Sequence, residues 1–169
     1  MGSIPLKFHP VKEFYSLAVL IYPAPSKPGY VEAVAGPNKH PYCNVLMYVD
    51  TGSNVSSITQ VEAKKMNFSM ESLPREDTAG IGGFASLSYI NDLQFVLRDS
   101  LGSPVAVKLQ KVLITPVKVK KIKTKHKSGY VSVEETSSDM ICLLGLDVVK
   151  AIGGKLILDP SNETGEIKF

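Results

Sequence analysis

Residues 45–53 have the sequence Val45-Leu46-Met47-Tyr48-Val49-Asp50-Thr51-Gly52-Ser53, in which an apolar segment leads into a tight polar turn. The five apolar residues predict a buried β-strand that holds the Asp50 carboxylate at its end. Gly52 lets the backbone pass close to another segment, and the hydroxyl groups of Thr51 and Ser53 can bind the turn. An ordinary Asx turn after a strand has the same composition. From these nine residues alone, Asp50 can be either a carboxylate that a buried strand holds in position for a function or part of an ordinary Asx turn.

Two later segments place glycines next to apolar residues. The first is Gly80-Ile81-Gly82-Gly83-Phe84, and the second is Leu143-Leu144-Gly145-Leu146-Asp147. Because glycine allows positive φ and close backbone approach, the first segment predicts a hairpin whose main-chain amides can bind an extended peptide. Its Ile81 and Phe84 would add apolar contact. The alternative is a surface hairpin whose glycines only form a turn.

Together, and in this order, the three segments resemble the motifs of the retropepsin family, the single-lobed aspartic proteases of retroviruses, retroelements and some cells. The resemblance covers the chain from about Val31 to Phe169. It implies an all-β fold with a closed β-barrel, a flap hairpin and one or two short helices. It also implies that Asp50 is the catalytic acid, in an active-site loop with Thr51, Gly52 and Ser53. The substrate-binding flap would be Gly80, Ile81, Gly82, Gly83 and Phe84, and the support beneath the site would be Leu144, Gly145 and Asp147.

The chain contains a single Asp-Thr-Gly sequence. Peptide hydrolysis by this chemistry needs two carboxyl groups that face each other, so the second one must come from an identical subunit. The simplest closed arrangement is a two-fold symmetric homodimer with its axis between the two copies of Asp50. The pair would share one proton and activate a water molecule that attacks a polypeptide substrate. Thr51 would brace the pair across the axis, as the matching residue does in the family, and neither a cofactor nor a metal is expected.

Two positions differ from the pattern of many viral members. Those proteins have an acidic residue where this chain has Asn54, and an Arg where this chain has Leu146. Both halves of an ion pair are therefore missing, which indicates a different packing between the loops. The alternative function is a non-catalytic retropepsin-like module for dimerisation or peptide binding. Asp147 matches the residue that begins the family's last helix, and its expected structural role is a helix N-cap.

The sequence predicts two regions. Residues 1–30 form an N-terminal extension with an added strand at 14–22 and a Pro-rich connector, and residues 31–169 form the protease-like domain. A hairpin of Val31–Gly36 and Cys43–Val49 would deliver Asp50.

Beyond this hairpin, helices are predicted at Gln60–Met66 and Asp147–Ile152, the second ended by Gly153-Gly154. Further strands are predicted at Ser86–Ile90, Asp92–Arg98, Val105–Leu109, Val112–Val117, Lys155–Leu158 and Glu166–Phe169.

The composition is typical of a folded globular chain. Its 169 residues, formal net charge of +3 and hydrophobic fraction of 44% exclude disorder and extreme charge. Cys43 and Cys142 each lie in an apolar strand, which predicts buried reduced thiols and no disulfide framework. The apolar stretch 14–22 is too short to cross a bilayer, which needs about 20 residues, and it makes a poor signal peptide. We therefore expect no membrane partner and a cytoplasmic location.

Residues 117–138 form a lysine-rich insertion. Six lysines and no acidic residue lie between Lys118 and Lys127. Such a segment can contact nucleic acid, or it can form a hairpin that protects a sheet edge from pairing. Because no aromatic side chains interleave with the lysines, nucleic acid is not expected to be a partner beyond weak contact.

Overall fold

The computed structural model describes residues 2–23, 42–80, 83–116, 119–125, 131–137 and 141–169. These residues form twelve β-strands, two short α-helices and one turn of 3₁₀ helix, so the predicted all-β class is confirmed. The strands are β1 Ser3–His9, β2 Phe14–Pro23, β3 Cys43–Val49, β4 Ser57–Thr59, β5 Arg75–Gly80, β6 Gly83–Arg98, β7 Pro104–Thr115, β8 Val119–Lys125, β9 Val131–Ser137, β10 Cys142–Leu144, β11 Lys155–Asp159 and β12 Thr164–Lys168. The helices are α1 Gln60–Lys65 and α2 Leu146–Ile152, and the 3₁₀ turn is Pro160–Asn162.

Six of the strands close into a barrel. Their order is β2–β3–β10–β4–β7–β6, and β6 pairs again with β2 to complete the ring. The closing pairs include Leu20 with Val96 and Ile21 with Phe95. Closure satisfies the main-chain groups that an open sheet would leave unpaired at its edges. The predicted closed barrel is therefore confirmed.

The barrel encloses a core because its strands alternate between buried and exposed residues. In β3, Cys43, Val45 and Met47 are buried, whereas Asn44 and Leu46 are exposed. A period of two turns one face of a strand toward the interior. Burial of apolar area contributes about 25 cal/mol per Å² to folding. The largest fully buried side chains of the barrel strands include Phe95, Ile21, Met47, Ile58, Leu93 and Leu97.

The two ends of the chain extend one side of the sheet. Strands β11, β12 and β1 continue it in the order β11–β12–β1–β2. One strand is predicted from the sequence in this N-terminal region, and β1 is an additional one. Ile4 and Leu6 alternate with Pro5 and Lys7 as in a half-buried strand, but a proline argues against a strand. The predicted strand Val31–Gly36 and the predicted boundary at residue 30 lie outside the described residues, so the division into two regions stays a prediction.

Both predicted helices are present. α1 follows Thr59, whose hydroxyl accepts a hydrogen bond from the Glu62 N–H at 3.4 Å. α2 ends at Gly153, which has a φ of 71° and makes the predicted glycine C-cap. The expectation that Asp147 is the N-cap of α2 is wrong, because Gly145 occupies that position and Asp147 lies inside the first turn. No helix formed by the described residues is long and apolar enough to span a membrane.

Two long strands replace four predicted short ones. β6 continues through Asp92, which has a positive φ of 57°. A short polar side chain tolerates this backbone better than most residues do, and Asp92 also forms a salt bridge with Lys108 at 3.0 Å. The pairing of β6 with β7 runs on both sides of this residue, from Ser88 to Arg98. Cross-strand pairing therefore overrides the local break that the sequence indicates.

β8 and β9 form a separate two-stranded sheet within the lysine-rich insertion. Their register places Lys121 opposite Glu135 and Ile122 opposite Glu134. The two strands pair antiparallel, as the hairpin alternative predicts, and residues 126–130 between them lie outside the described residues. In the described part of the chain they do not pair with the ten-stranded sheet, so a role in protecting its edge stays a prediction.

Cys43 and Cys142 are buried and free of a disulfide, as the sequence predicts. Burial raises the pKa of the Cys43 thiol to about 12, and burial also raises the pKa of the Cys142 thiol. Both groups are therefore protonated at neutral pH and act as small apolar side chains.

We expect the free energy of unfolding to fall as the pH rises from about 9 toward about 12. Over this range the unfolded chain loses its thiol proton while the buried Cys43 keeps it, so the unfolded state binds fewer protons and is favoured. Urea unfolding at a series of pH values measures this decline. The free energy of unfolding of the Cys43→Ala variant should decline less steeply with pH. Parallel curves for the two proteins would contradict the raised pKa of the Cys43 thiol.

Candidate active site

β10 lies between two strands that a single loop connects. It pairs in parallel with Met47–Val49 of β3, and its Leu143 pairs with Ser57 of β4. The loop 50–56 that joins β3 to β4 therefore crosses the end of β10, where Gly145 leads into α2. The first and last motifs of the sequence thus meet at one place.

Asp50 follows β3 directly and is partly exposed. Its N–H donates to the Leu144 carbonyl at 3.0 Å, which binds it to the last residue of β10. The Gly52 N–H donates to Asp50 Oδ1 at 2.9 Å, and the Ser53 N–H donates to the Asp50 carbonyl at 3.3 Å. The bond from Gly52 is the bond of an Asx turn, so that interpretation describes the local geometry. The bond to Leu144 goes beyond it, because it fixes the turn against a second motif.

Ser53 holds the middle of the loop. Its hydroxyl donates to the Val55 carbonyl at 2.7 Å, and its own carbonyl accepts from the Leu146 N–H at 2.9 Å. Leu146 and the exposed Asn54 are the two positions at which the ion pair of many viral retropepsins is missing. In this chain, main-chain atoms make the link between the two loops at this point.

Ser56 is the residue that joins the two loops most extensively, and it is fully buried. Its N–H donates to Asp147 Oδ2 at 2.8 Å, and its hydroxyl donates to Asp147 Oδ1 at 2.6 Å. The same hydroxyl accepts a hydrogen bond from the Gly145 N–H at 3.0 Å. Asp147 Oδ1 also accepts from the Val148 N–H at 2.9 Å. The carboxylate of Asp147 therefore has three donors, and it holds the first turn of α2 against the loop that carries Asp50.

Ser56 is not among the residues predicted from the sequence, and Asp147 is predicted only as a match to the family motif and as a helix N-cap. Their contact depends on the buried strand β4, which directly follows Ser56 and which local pattern does not predict.

At Gly145, the main chain after β10 lies directly against the main chain of the loop 50–56. A Cβ atom at this position would lie 2.7 Å from the Val55 carbonyl carbon and 2.9 Å from the Ser56 nitrogen. These are main-chain atoms that other contacts hold in place, so the crossing leaves no room for a side chain.

Gly52 and Thr51 form the exposed tip of the loop. A Cβ atom at Gly52 would lie 3.3 Å from Asp50 Oδ1. A side chain there would crowd the carboxylate, so glycine keeps one approach to Asp50 open. Among the residues that the structure describes, no group of three or more His, Cys, Asp or Glu side chains could hold a metal ion.

The predicted flap lies at the end of the β5–β6 hairpin. Gly80 pairs with Gly83, and Ala79 pairs with Phe84. Residues 81 and 82 lie outside the described residues. The base of the hairpin is bound to β7 by a salt bridge between Lys111 and Glu76 at 2.8 Å. The described hydrogen bonds do not connect this hairpin to the Asp50 loop, so its position over the site stays a prediction.

Comparison with protein-family models and with curated proteins finds no match. Among solved structures, the chain is similar to a retropepsin-like aspartic protease from Rickettsia conorii, with a TM-score of 0.56 and 16% sequence identity. The alignment covers 99% of this chain and 91% of that one. An EIAV protease, solved with the inhibitor HBY-793, aligns over 89% of this chain and 98% of its own, with a TM-score of only 0.42 and 13% identity. On the first similarity and the closed barrel described above, the chain has the retropepsin-like fold.

Proposed function

We propose that the protein is an aspartic endopeptidase that cleaves extended polypeptide with a pair of Asp50 carboxyl groups, one from each subunit of a homodimer. The observation that carries this proposal is the loop around Asp50. It leaves a partly exposed carboxylate at the end of a buried strand, and Leu144 fixes its main chain at 3.0 Å. Positioned catalytic groups need this kind of rigid support.

The chemistry follows from two carboxyl groups at close range. Two such groups about 3 Å apart cannot both ionise, as is general for aspartic proteases. One proton is therefore shared, and the pair behaves as a unit. The ionised member takes a proton from a water molecule, which attacks the scissile carbonyl. The protonated member donates to the carbonyl oxygen as charge develops there.

The requirement for a homodimer comes from the single Asp-Thr-Gly sequence. The exposed tip at Thr51 and Gly52 supports this arrangement, since a second copy of the loop can approach from that side. In our proposal, Thr51 braces the pair across the two-fold axis.

The β5–β6 hairpin is the proposed flap. Main-chain amides of Gly80, Gly82 and Gly83 would bind an extended peptide, and Ile81 and Phe84 would exclude water from the site. The free, buried cysteines support a reducing compartment such as the cytoplasm.

Asp50→Asn should lower the rate of cleavage of an unfolded protein by about 10²–10⁴-fold or more, because the amide cannot exchange the proton that the reaction needs. Asp92→Asn is the matched control. Asp92 is exposed, and its salt bridge to Lys108 is more than half exposed at both ends, so activity and fold should be unchanged. An Asp50→Asn variant as active as the parent would overturn the proposed function. The parent protein could instead bind peptide without hydrolysing it. If the Asp50→Asn variant then bound the same peptide with unchanged affinity, the non-catalytic module would be favoured.

The pH dependence of cleavage gives an independent test. We expect a maximum at mildly acidic pH and a fall toward alkaline pH, because the pair works only while it holds one proton. A profile of kcat/KM against pH measures this behaviour. A rate that rises steadily into the alkaline range would point to different chemistry.

Ser56→Ala should lower the free energy of unfolding by about 1–3 kcal/mol, since Asp147 loses one of its three donors and the Gly145 N–H loses its acceptor. We also expect kcat to fall, because the loop that carries Asp50 is then held to α2 by fewer hydrogen bonds. Ser57→Ala is the matched control, as this neighbouring serine is also buried and its hydroxyl has no described hydrogen bond. Ser56→Thr keeps the hydroxyl but adds a methyl group at a fully buried position, so it should retain more of kcat than Ser56→Ala without reaching the parent value. Equal effects of the two alanine variants would contradict a positioning role for Ser56.

A further inference from the structure

The sheet has a three-sided gap where β1, β2 and β6 diverge. β1 and β2 separate beyond the pair of Lys7 and Ser16, and β2 joins β6 only from Leu20 onward. The Ser100 N–H donates to the Ser3 carbonyl at 2.8 Å, which closes the third corner between β1 and the turn after β6. The gap forms a cavity of about 460 Å³ that is partly open to solvent. This volume is in the range of cavities that bind small ligands.

Two strand edges face the gap without a partner strand. From Leu17 to Val19, β2 pairs with β3 on one side, and no described strand pairs with its other side. From Ser3 to Leu6, β1 pairs with β12 alone among the described strands. Because Pro5 has no N–H, the edge of β2 is the more complete of the two. Main-chain groups at such an edge can bind a ligand that brings a main chain of its own.

The cavity is apolar at its floor and charged at its rim. Ile4 and Leu17 are buried with the core residues and form the floor. Lys7, Ala18 and Arg98 are exposed and lie on the outward face of their strands. A ligand that fills the cavity therefore needs an apolar group for the floor and a polar or charged group for the rim.

The charge at the rim favours an anion. Neither Lys7 nor Arg98 forms a salt bridge with a described acidic residue. Arg98 donates to the Gly102 carbonyl at 2.8 Å, and its other guanidinium donors are free to meet a ligand. The Asp99 carboxylate also lines the cavity, but its Oδ1 already accepts from two N–H groups of its own turn, at 2.9 and 2.7 Å. The rim thus has two cations and one carboxylate that the turn already binds.

The shape of the gap selects the end of a chain. Because the gap is closed at three corners, an extended peptide cannot run through it as an added strand. The last residue of a peptide can enter from the outer face of the sheet. Its side chain would contact Ile4 and Leu17, its main chain would bind the edge of β2, and its carboxylate would meet Lys7 and Arg98. An alkyl chain would instead cover the main-chain groups of β2 without bonding to them, which is unfavourable.

We propose that this gap binds the carboxyl-terminal residue of a partner peptide whose last side chain is apolar. None of the described residues that line it belongs to the loop 50–56. The site is therefore distinct from the candidate active site and does not depend on the proposed endopeptidase activity. It would hold a partner protein by its free end, while the rest of that chain stays outside the gap.

A pair of probe peptides tests the role of the carboxylate. The first is an N-acetylated tetrapeptide of three alanines and a terminal leucine, and the second is the same peptide with a carboxyl-terminal amide. We expect the acid to bind at least about tenfold more tightly, because the amide lacks the charge that the rim binds. NMR spectra of the main-chain amides give both dissociation constants, and the largest shifts should be at Ala18 and its neighbours. Equal constants, or shifts confined to the Asp50 loop, would overturn the site.

Two substitutions test where the peptide binds. Ala18→Leu places a larger side chain in the cavity at an exposed position, so it should raise the Kd of the acid at least about tenfold without unfolding the protein. Ala151→Leu is the matched control, at an exposed position of α2. Lys7→Gln should reduce the preference for the acid over the amide at least about threefold, because it removes one cation from the rim. Lys64→Gln, at an exposed lysine of α1, should leave this preference unchanged.

The same titrations separate a peptide site from a fatty-acid site. Decanoate, below the concentration at which it forms micelles, has the carboxylate and the apolar chain but no peptide main chain. It should bind more weakly than the peptide acid, since it cannot bond to the edge of β2. Tighter binding of decanoate would overturn the peptide assignment. An unchanged Kd in Ala18→Leu, or no binding of the peptide acid at millimolar concentration, would overturn the site itself.

Discussion

The structure depends on a partly buried contact between residues 91 positions apart in sequence, in which Ser56 binds the carboxylate of Asp147. This contact fixes the crossing of the loop 50–56 over the end of β10. The crossing is so close that Gly145 must have no side chain. A charge-assisted network of this kind has well-defined geometry, and it is expensive to leave half satisfied. The position of Asp50 is therefore set by the fold of the whole chain, and not by its local turn alone.

A single carboxylate per chain then constrains how the protein assembles. Catalysis by paired carboxyl groups needs a second chain, and a second chain needs a surface that is complementary to itself. The chain ends are already engaged, because β12 lies between β1 and β11.

Much of the fold could be predicted from the sequence, because its strongest signals are local. Alternating burial in β3, the glycine after α2 and the apolar strand β2 all follow from a few neighbouring residues. β1 carries a mixed signal, because Ile4, Leu6 and Phe8 alternate with other residues as in a half-buried strand, whereas Pro5 argues against a strand. Pairing with β12 and β2 decides the outcome. Local pattern also divides β6 at Asp92, where pairing with β7 keeps the strand continuous.

For the candidate site, the motifs located Asp50, Leu144, Gly145 and Asp147 on the two loops that meet. They did not indicate Ser56, because a serine carries no pattern of its own and its importance comes from a residue far along the chain. The role of Asp147 was misassigned for the same reason, since a polar residue near a helix start is usually a cap. Contacts between distant segments are the part that local patterns cannot supply.

The most direct test of a carboxyl pair shared between subunits is the activity of mixtures of parent and Asp50→Asn protein at fixed total concentration, with the subunits allowed to exchange. If each active site needs one Asp50 from each chain, activity should follow the square of the parent fraction, and an equal mixture should retain about one quarter of the parent activity. If each chain acts alone, activity should fall in proportion to the parent fraction, and about one half would remain. A linear dependence would contradict the account.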